Sequence, residues 1–211
     1  MNILVTGSNG QVGTELRYLA EQYSSFIITF VDLADLDITD ANAVYDFINS
    51  GNYNYIINCA AYTAVDKAEE NEKLAYEVNA IGARNIAQAA VIRNIQLIHI
   101  STDYVFDGTK SEAYSENDTV SPLGVYGISK WQGEETIRQT LPEHIILRVA
   151  WVFGLQGNNF VETMLRLVKD RDELSVVADQ FGRPSPAKDI AKTLIILAEQ
   201  YQKEKTLEWG T

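Results

Sequence analysis

Near its N-terminus the chain reads Ile3-Leu4-Val5-Thr6-Gly7-Ser8-Asn9-Gly10-Gln11-Val12-Gly13, a short apolar run that leads into three glycines. Helical periodicity follows from Glu15 to Tyr23, so the order is strand, glycine loop, helix. Glycines spaced like Gly7, Gly10 and Gly13 let the backbone turn tightly, approach a pyrophosphate and pack a helix on a strand. The helix N-terminus then favours the negative charge. The stretch predicts the first unit of a dinucleotide-binding sheet.

An acidic residue follows the second expected strand. Apolar residues run from Phe26 to Val31, and Asp32 comes nineteen residues after Gly13. This spacing suits a carboxylate that binds the adenosine ribose of a dinucleotide, although a surface acid at a strand end is the alternative. A carboxylate here also repels a ribose 2'-phosphate and so favours NADH. Its position is approximate, and the choice between NADPH and NADH stays open.

Short apolar runs and helical patterns alternate through the rest of the chain. Further strands are expected at 55–61, 95–100, 145–149 and 174–177, and further helices at 41–48, along 75–90, from 125 to about 140, at 159–168 and at 190–201. This order predicts an α/β fold with a doubly wound, mostly parallel sheet of the Rossmann type. We expect an NAD(P)-binding Rossmann domain at 1–150.

Several residues fall at the carboxyl ends of the expected strands, where open α/β sheets bind their ligands. Asp37 and Ile38 follow the second strand and border the expected place of an adenine ring. The third strand ends in Asn58-Cys59-Ala60-Ala61, whose small residues let a flat cofactor lie close, with plain close packing as the alternative. The fourth delivers Thr102 at its end, and His99 within it is expected to be a core residue.

The clearest chemical signal is Tyr126 followed by Lys130 at the start of the helix expected from 125. Residues four apart share a helix face, so both side chains point into the same space. A nearby cation lowers the pKa of a tyrosine from its usual value of about 10. With Thr102 holding a substrate oxygen, these side chains would interconvert an alcohol and a carbonyl by general acid-base catalysis, with a hydride carrier. An ordinary amphipathic pair is the alternative for Tyr-x-x-x-Lys taken alone.

Charge and cysteine content exclude several classes of function. The chain of 211 residues has a net charge of -12, which argues against nucleic acids and anionic membranes as partners, since both call for basic patches. Its one cysteine, Cys59, excludes an internal disulfide, argues against a cysteine-based metal site, and is expected to be a buried thiol. The first apolar run is too short for a secretory signal and no later run reaches transmembrane length, so a cytoplasmic protein is expected.

Several of these motifs in order resemble the extended short-chain dehydrogenase/reductase superfamily. They are the glycine run at 6–13, the Asn58-Cys59-Ala60-Ala61 strand end, Ser101-Thr102, and Tyr126 with Lys130. Three longer stretches are more specific and are similar to the dTDP-4-dehydrorhamnose reductase family. These are Ala60-Ala61-Tyr62-Thr63-Ala64-Val65-Asp66-Lys67-Ala68-Glu69, Ser101-Thr102-Asp103-Tyr104-Val105-Phe106-Asp107-Gly108 and Asp179-Gln180-Phe181-Gly182-Arg183-Pro184. The resemblance covers essentially the whole chain.

The resemblance implies a reductase that passes hydride from NADPH or NADH to the C4 ketone of the nucleotide sugar dTDP-6-deoxy-L-lyxo-4-hexulose, giving dTDP-L-rhamnose. It implies that Thr102 hydrogen-bonds the ketone oxygen, that Tyr126 donates the proton, and that Lys130 holds the nicotinamide ribose and lowers the pKa of the tyrosine. The implied cofactor residues are Gly7, Gly10, Gln11, Val12, Gly13, Asp32, Asp37, Ile38, Ala60, Ala61, Tyr62 and Lys130. The implied substrate residues are Thr63, Val65, Thr102, Asp103, Tyr104 and Trp151, with a core position as the alternative for Trp151. No metal site is expected.

The chain departs from the family in two places. It stops at Thr211, where the family continues, so the resemblance implies a partial, truncated substrate-binding region at 151–211. We expect a homodimer only of the full-length protein. It also carries Cys59 where the family more often has alanine, a small change.

Two other functions compete with the reductase. A nucleotide-sugar epimerase or dehydratase with bound NAD is one, although dehydratases carry an acid pair where this chain has only Asp103. A regulatory subunit of a methionine adenosyltransferase is the other, which the three intact catalytic groups disfavour.

Overall fold

A parallel sheet forms the centre of the molecule. The computed structural model describes residues 1–211, and the five strands of the sheet are all parallel in the order β2-β1-β3-β4-β5. The strands are β1 (Asn2–Thr6), β2 (Ile27–Val31), β3 (Tyr55–Asn58), β4 (Gln96–Thr102) and β5 (His144–Val149). The predicted doubly wound, Rossmann-type sheet is confirmed. The strand order reverses between β1 and β3, which is where sheets of this kind bind their ligands.

Helices cover both faces of this sheet. On one face α1 (Gln11–Ala20) packs against α8 (Ala187–Glu204), and on the other lie α2 (Ala41–Ser50), α5 (Ala83–Arg93) and α6 (Val125–Thr140). The remaining α-helices are α3 (Val65–Ala68), α4 (Glu72–Tyr76) and α7 (Phe160–Leu167). None of these helices combines the length and the apolar composition that a membrane span requires.

Alternation along the strands divides the core into two halves. Successive side chains of a strand point to opposite faces of a sheet. Ile3, Val5 and Ile57 therefore pack with α1 and α8, while Leu4 and Ile56 pack with α2 and α5, and all five are fully buried. A parallel sheet between two helix layers requires strands that are apolar on both faces. This requirement explains the continuous apolar runs that predicted β1 and β3.

The helix after the glycine loop begins earlier than predicted. The sequence pattern placed its start at Glu15, but α1 begins at Gln11. Gly10 precedes it with extended backbone, and its carbonyl oxygen accepts a hydrogen bond from the Thr14 N–H at 2.9 Å. Because Gly10 and Gly13 have no side chains, the first turn carries little apolar periodicity and the pattern missed it.

The strand predicted at 174–177 is wrong. These residues belong to no strand, and Val176 and Val177 are exposed. A small second sheet instead joins β6 (Val152–Phe153) and β7 (Ser185–Pro186) in parallel. A run with strand propensity becomes a strand only where a neighbouring strand takes up its backbone hydrogen bonds, and 174–177 pair with none.

The long helical pattern predicted along 75–90 is interrupted by a wide turn. Glu77–Gly82 form a π-helical segment between α4 and α5. A Cβ atom at Gly133 of α6 would lie 2.2 Å from the carbonyl oxygen of Asn79, so α6 packs directly on this segment. Segments of this kind are rare and frequent at functional sites.

The region after residue 150 shares the core of the sheet. Ala191 and Leu194 of α8 are buried in the same cluster as β1 and β3. Near the last residue, the N–H of Ile146 in β5 donates to the carbonyl oxygen of Gly210 at 2.8 Å, so the chain runs along the outer edge of β5. The division at residue 150 into a cofactor domain and a substrate region stays a prediction.

Candidate active site

The glycine loop lies where β1 meets β3. Gly7 has a φ of +66°, and a Cβ atom there would lie 2.5 Å from the backbone nitrogen of Ala60. A Cβ atom at Gly13 would lie 2.6 Å from the carbonyl oxygen of Gly7. The loop can therefore pass between β1, β3 and α1 only because these positions have no side chain. The result is a backbone cradle at the N-terminus of α1.

One cavity of about 890 Å³ extends from this cradle across the carboxyl ends of the strands. Every residue that the sequence predicted for the site lines it. Those expected for the cofactor are Gly7, Gly10, Gln11, Val12, Gly13, Asp32, Asp37, Ile38, Ala60, Ala61, Tyr62 and Lys130. Those expected for catalysis and for the substrate are Thr63, Val65, Thr102, Asp103, Tyr104, Tyr126, Lys130 and Trp151. The cavity wall also includes residues that the sequence did not single out, among them Asn9, Leu36, Val78, Val149 and Asn158.

Asp32 connects the end of β2 to the glycine loop. Its Oδ2 accepts the backbone N–H of Asn9 at 2.8 Å, and its Oδ1 accepts the N–H of Leu33 at 2.9 Å. Its own N–H donates to the Asp35 carboxylate at 3.0 Å. The carboxylate is thus held in place at the wall of the cavity.

The next part of the wall is fixed by an asparagine of α5. The Asn85 amide donates to the carbonyl oxygens of Ile38 at 2.9 Å and of Thr39 at 3.1 Å. A Cβ atom at Gly82 would lie 2.6 Å from the Ile38 side chain, so this glycine leaves the space that Ile38 occupies. Asp37 accepts hydrogen bonds from the backbone and the hydroxyl of Thr39.

Asn79, in the π-helical segment, holds the loop that carries Tyr62. Its Oδ1 accepts the Tyr62 N–H at 2.8 Å, and its Nδ2 donates to the Tyr62 carbonyl oxygen at 3.1 Å and to the Ser129 hydroxyl at 3.0 Å. Asn79 is fully buried, so these bonds replace the water it loses. The sequence analysis missed this residue. An asparagine inside an otherwise apolar helical pattern was the available signal.

Thr102 and Tyr126 face each other at the far end of the cavity. Burial raises the pKa of the Tyr126 phenol to about 12, against the opposing influence of the Thr102 hydroxyl. The Tyr104 ring meets the Tyr126 ring edge-on, with centroids 5.6 Å apart. Thr102 Oγ1 lies 3.3 Å from an oxygen of Asp103, whose pKa is raised above its usual value by burial.

Lys130 lies beneath this end of the cavity and is 1% exposed. Its Nζ donates to the carbonyl oxygen of Ile100 at 2.7 Å and lies 3.2 Å from Nε2 of His99. Burial lowers its pKa to about 8, against the opposing influence of the Glu134 carboxylate. The expected lowering of the Tyr126 pKa by Lys130 is therefore not found, because the ammonium is directed at β4 and burial dominates at the phenol.

A chain of buried polar groups extends from Lys130 back to β1. His99 is a core residue, as predicted, and its Nδ1 lies 2.9 Å from the amide nitrogen of Asn58. The Asn58 oxygen accepts hydrogen bonds from the Thr6 hydroxyl at 2.8 Å and from the Ala60 N–H at 3.1 Å. Burial and the positive charge of Lys130 lower the pKa of His99 well below its usual value.

Cys59 and Trp151 lie on the wall of the cavity. Cys59 is half-buried, and burial raises the pKa of its thiol to about 12, so it is an unreactive wall residue. Trp151 is 42% exposed with a φ of +46°, which excludes the alternative that it is a core residue. Residue 182 packs against the Trp151 ring, and only a glycine fits there. A Cβ atom at Gly182 would lie 2.7 Å from the ring.

No group of three or more His, Cys, Asp or Glu side chains is arranged to hold a metal ion. The candidate site thus consists of a backbone cradle, a carboxylate at the end of β2, and a hydroxyl, a phenol and an amine at the ends of β4 and α6. The absence of a metal requirement stays a prediction.

The whole chain, residues 1–211, matches the family model described as RmlD substrate binding domain. It is 47% identical over 208 residues to a dTDP-4-dehydrorhamnose reductase of Aggregatibacter actinomycetemcomitans, covering 99% of this chain and 71% of that protein. The crystal structure of the corresponding reductase from Clostridium acetobutylicum superposes with a TM-score of 0.91 at 44% identity, covering 96% of this chain and 71% of that one.

A third relative carries a dinucleotide. The structure of the dTDP-4-dehydrorhamnose reductase of Bacillus anthracis was solved in complex with NADP. It superposes with a TM-score of 0.89 at 42% identity, covering 94% of this chain and 70% of that one. Sequence, fold and the arrangement of the cavity therefore agree, and the chain belongs to the dTDP-4-dehydrorhamnose reductase family of NAD(P)H-dependent oxidoreductases.

Proposed function

We propose that this chain reduces the C4 ketone of dTDP-6-deoxy-L-lyxo-4-hexulose to the alcohol of dTDP-L-rhamnose, with NADPH or NADH as the reductant. One observation carries the proposal: the side chains of Thr102, Tyr126 and Lys130 line the same cavity as the glycine loop. A dinucleotide along that cavity and a ketone at its far end would therefore share one site.

The residues present fit a dinucleotide. The backbone cradle formed around Gly7 and Gly13 leaves space that a Cβ atom would fill, and it opens at the N-terminus of α1, which favours a pyrophosphate. Gly10, Gln11 and Val12 would complete this contact. Asp32, Asp37 and Ile38 would hold the adenosine, and Ala60, Ala61 and Tyr62 would border the nicotinamide, with Lys130 at its ribose.

The chemistry at the ketone follows from three side chains. A bound NADPH or NADH supplies the hydride. The Tyr126 phenol, whose pKa is about 12, is protonated at neutral pH and can give its proton to the ketone oxygen as that oxygen gains charge. Thr102 is 4% exposed and its hydroxyl lies beside Tyr126, where it would hold the same oxygen. Lys130, whose Nζ is directed at β4, would hold the nicotinamide ribose that orients the hydride toward the ketone.

The sugar nucleotide would contact the outer part of the cavity. Thr63, Val65, Asp103, Tyr104 and Trp151 line that part and combine apolar surface with a few polar groups, as small-molecule sites do. The acidic balance of the chain supports the inference that nucleic acid is not a partner. A homodimer of the full-length protein and a cytoplasmic location stay predictions.

The two competing functions are not favoured. The curated relatives at 47% and 42% identity, from Aggregatibacter actinomycetemcomitans and Escherichia coli, are both dTDP-4-dehydrorhamnose reductases. A tightly bound NAD of the epimerase type would cycle without net consumption, whereas a reductase consumes one dinucleotide for each sugar. This difference can be measured.

The test is NADPH and NADH oxidation, followed by absorbance, with dTDP-6-deoxy-L-lyxo-4-hexulose as substrate. Because the match covers 71% of the Aggregatibacter relative, the assay is run on this chain and on a chain extended past Thr211. Tyr126→Phe is the inactive variant, and Tyr45→Phe, at an exposed position outside the cavity, is its control. Stoichiometric oxidation that needs Tyr126 is the expected result. Binding of NADPH without any turnover in either form would contradict the proposal.

A further inference from the structure

Glu134 is a fully buried carboxylate in α6, one helical turn after Lys130. Its Oε1 accepts hydrogen bonds from the Ser101 hydroxyl at 2.5 Å and from Nε of Arg148 at 3.0 Å. Its Oε2 accepts from Arg138 at 2.8 Å and from Arg148 at 2.7 Å. Both oxygens are therefore saturated, as a buried charge requires.

These bonds join three elements at the catalytic end of the cavity. Ser101 is the penultimate residue of β4 and precedes Thr102, Arg148 lies in β5, and Glu134 lies in α6, which also carries Tyr126. The Arg148 guanidinium is itself held in place, since it lies over the Phe106 ring at 5.0 Å. The carboxylate thus fixes the position of α6 relative to the strand end that carries Thr102.

The carboxylate also sets the electrostatics around Lys130. Burial lowers the pKa of Lys130 to about 8, and the Glu134 carboxylate, one helical turn away on the same face of α6, opposes that lowering. Arg148 and Arg138 contact the carboxylate directly. The titratable groups that face Lys130 are His99 of β4, Cys59 after β3, and Tyr126 and Glu134 of α6.

We propose that Glu134 is a positioning residue, whose buried carboxylate clamps α6 to the ends of β4 and β5, holds Tyr126 beside Thr102, and keeps the Lys130 ammonium charged. The part that concerns Tyr126 rests on the proposed reductase activity. The part that concerns Lys130 needs only dinucleotide binding, so the failure of one can be distinguished from the failure of the other.

The experiment measures the dissociation constant of NADPH as a function of pH in Glu134→Gln, by calorimetry. The amide keeps the size of the side chain but removes the charge that supports the ammonium, so Lys130 loses its proton at a lower pH. If the pKa of Lys130 falls by about one unit, binding at about pH 8 weakens about fivefold more than at about pH 6, relative to the unmodified chain. A pH profile equal to that of the unmodified chain would overturn the proposal.

The chain offers matched controls. Glu135, the next residue, pairs with the same Arg138 but its side chain is 40% exposed, so Glu135→Gln should leave the pH profile unchanged. Ser101→Ala removes a neutral donor and no charge, so it should lower stability without shifting the profile. An equal shift in Glu135→Gln would mean that any lost acid in α6 suffices, and the specific role of Glu134 would be refuted.

Loss of folding is a separate outcome that circular dichroism and thermal unfolding detect. Glu134→Asp keeps the charge and shortens the reach, so it should retain the pH profile of NADPH binding while kcat falls more than KM rises, because α6 is displaced from Thr102. If Glu134→Gln does not fold, the proposal is tested with Glu134→Asp alone, by its kcat and KM. A folded Glu134→Asp with unchanged kcat would refute the clamp.

Discussion

The amine of Lys130 lies 3.2 Å from Nε2 of His99, while the other ring nitrogen of His99 lies 2.9 Å from the Asn58 amide nitrogen. The Ala60 N–H donates to the Asn58 oxygen, which fixes the orientation of that amide. The amide N–H must then donate to Nδ1 of His99, and a neutral ring carries its proton on Nε2, facing Lys130. Because an Nε2–H can donate only to an uncharged amine, this tautomer of the core histidine disfavours the ammonium of Lys130, and the two groups are coupled.

This coupling predicts that His99→Leu is destabilising. The substitution leaves the Asn58 amide without its partner and removes one contact of a buried amine, which costs about 1–3 kcal/mol. The measurement is urea unfolding followed by fluorescence. His144 is the control, because it is also buried but its Nε2 has no partner, so His144→Leu should cost less. A larger loss for His144→Leu would contradict the importance of the His99 contacts.

Tyr126→Phe is expected to abolish turnover and to leave NADPH affinity nearly intact. The variant keeps the ring and its edge-on contact with Tyr104 but loses the transferable proton, and general acid catalysis contributes about 10²–10⁴ in rate. Kinetics and calorimetry on the same preparation separate the two effects. Near-normal turnover would rule out Tyr126 as the proton donor.

The affinity for NADPH should fall as the pH rises through about 8. The pKa of Lys130 is lowered to about 8, so its ammonium is present below that pH and is lost above it, together with its attraction for the dinucleotide. Lys130→Ala should remove this pH dependence, weaken binding and abolish turnover. A titration of NADPH at several pH values checks this, and a persistent transition in Lys130→Ala would assign it to another group.

Asp32→Ala should improve the affinity for NADPH relative to NADH. The carboxylate lies at the end of β2 on the wall of the cavity, where it would repel a ribose 2'-phosphate. Asp35 is the control, because it bonds the Asp32 N–H but does not line the cavity, so Asp35→Ala should leave the ratio unchanged. The ratio of the two dissociation constants is the measurement, and an unchanged ratio in Asp32→Ala refutes this placement of the ribose.

Gly13→Ala should lower both stability and dinucleotide binding. Its Cβ atom would lie 2.6 Å from backbone atoms of Gly7 and Ser8, which cannot move aside as a flexible side chain can, so we expect a cost of about 1–3 kcal/mol. Gly108 has nothing within 4 Å of the added atom, and Gly108→Ala should affect stability only through its φ of +73°. Thermal unfolding and NADPH binding compare the two, and equal binding losses would contradict the cradle.

The sequence by itself determined the five strands of the central sheet, the glycine loop, and many residues of the cavity wall, those on the sugar side through the family resemblance. Periodicity reports which faces are buried, and glycine spacing reports where the backbone must turn or approach another segment, and both are local properties. They were enough to predict the sheet and to select Thr102, Tyr126 and Lys130. They failed at 174–177, where strand propensity met no neighbouring strand.

Only the tertiary structure decided which polar groups support these residues. Asn79, His99 and Glu134 contact partners far away in the chain, such as Tyr62, Asn58 and Arg148, and no local pattern encodes such pairs. The tertiary structure also decided the pKa values of the site. Burial raises the pKa of Tyr126, although a lysine follows four residues later. Burial and long-range pairing depend on which elements become neighbours, which is a property of the whole fold.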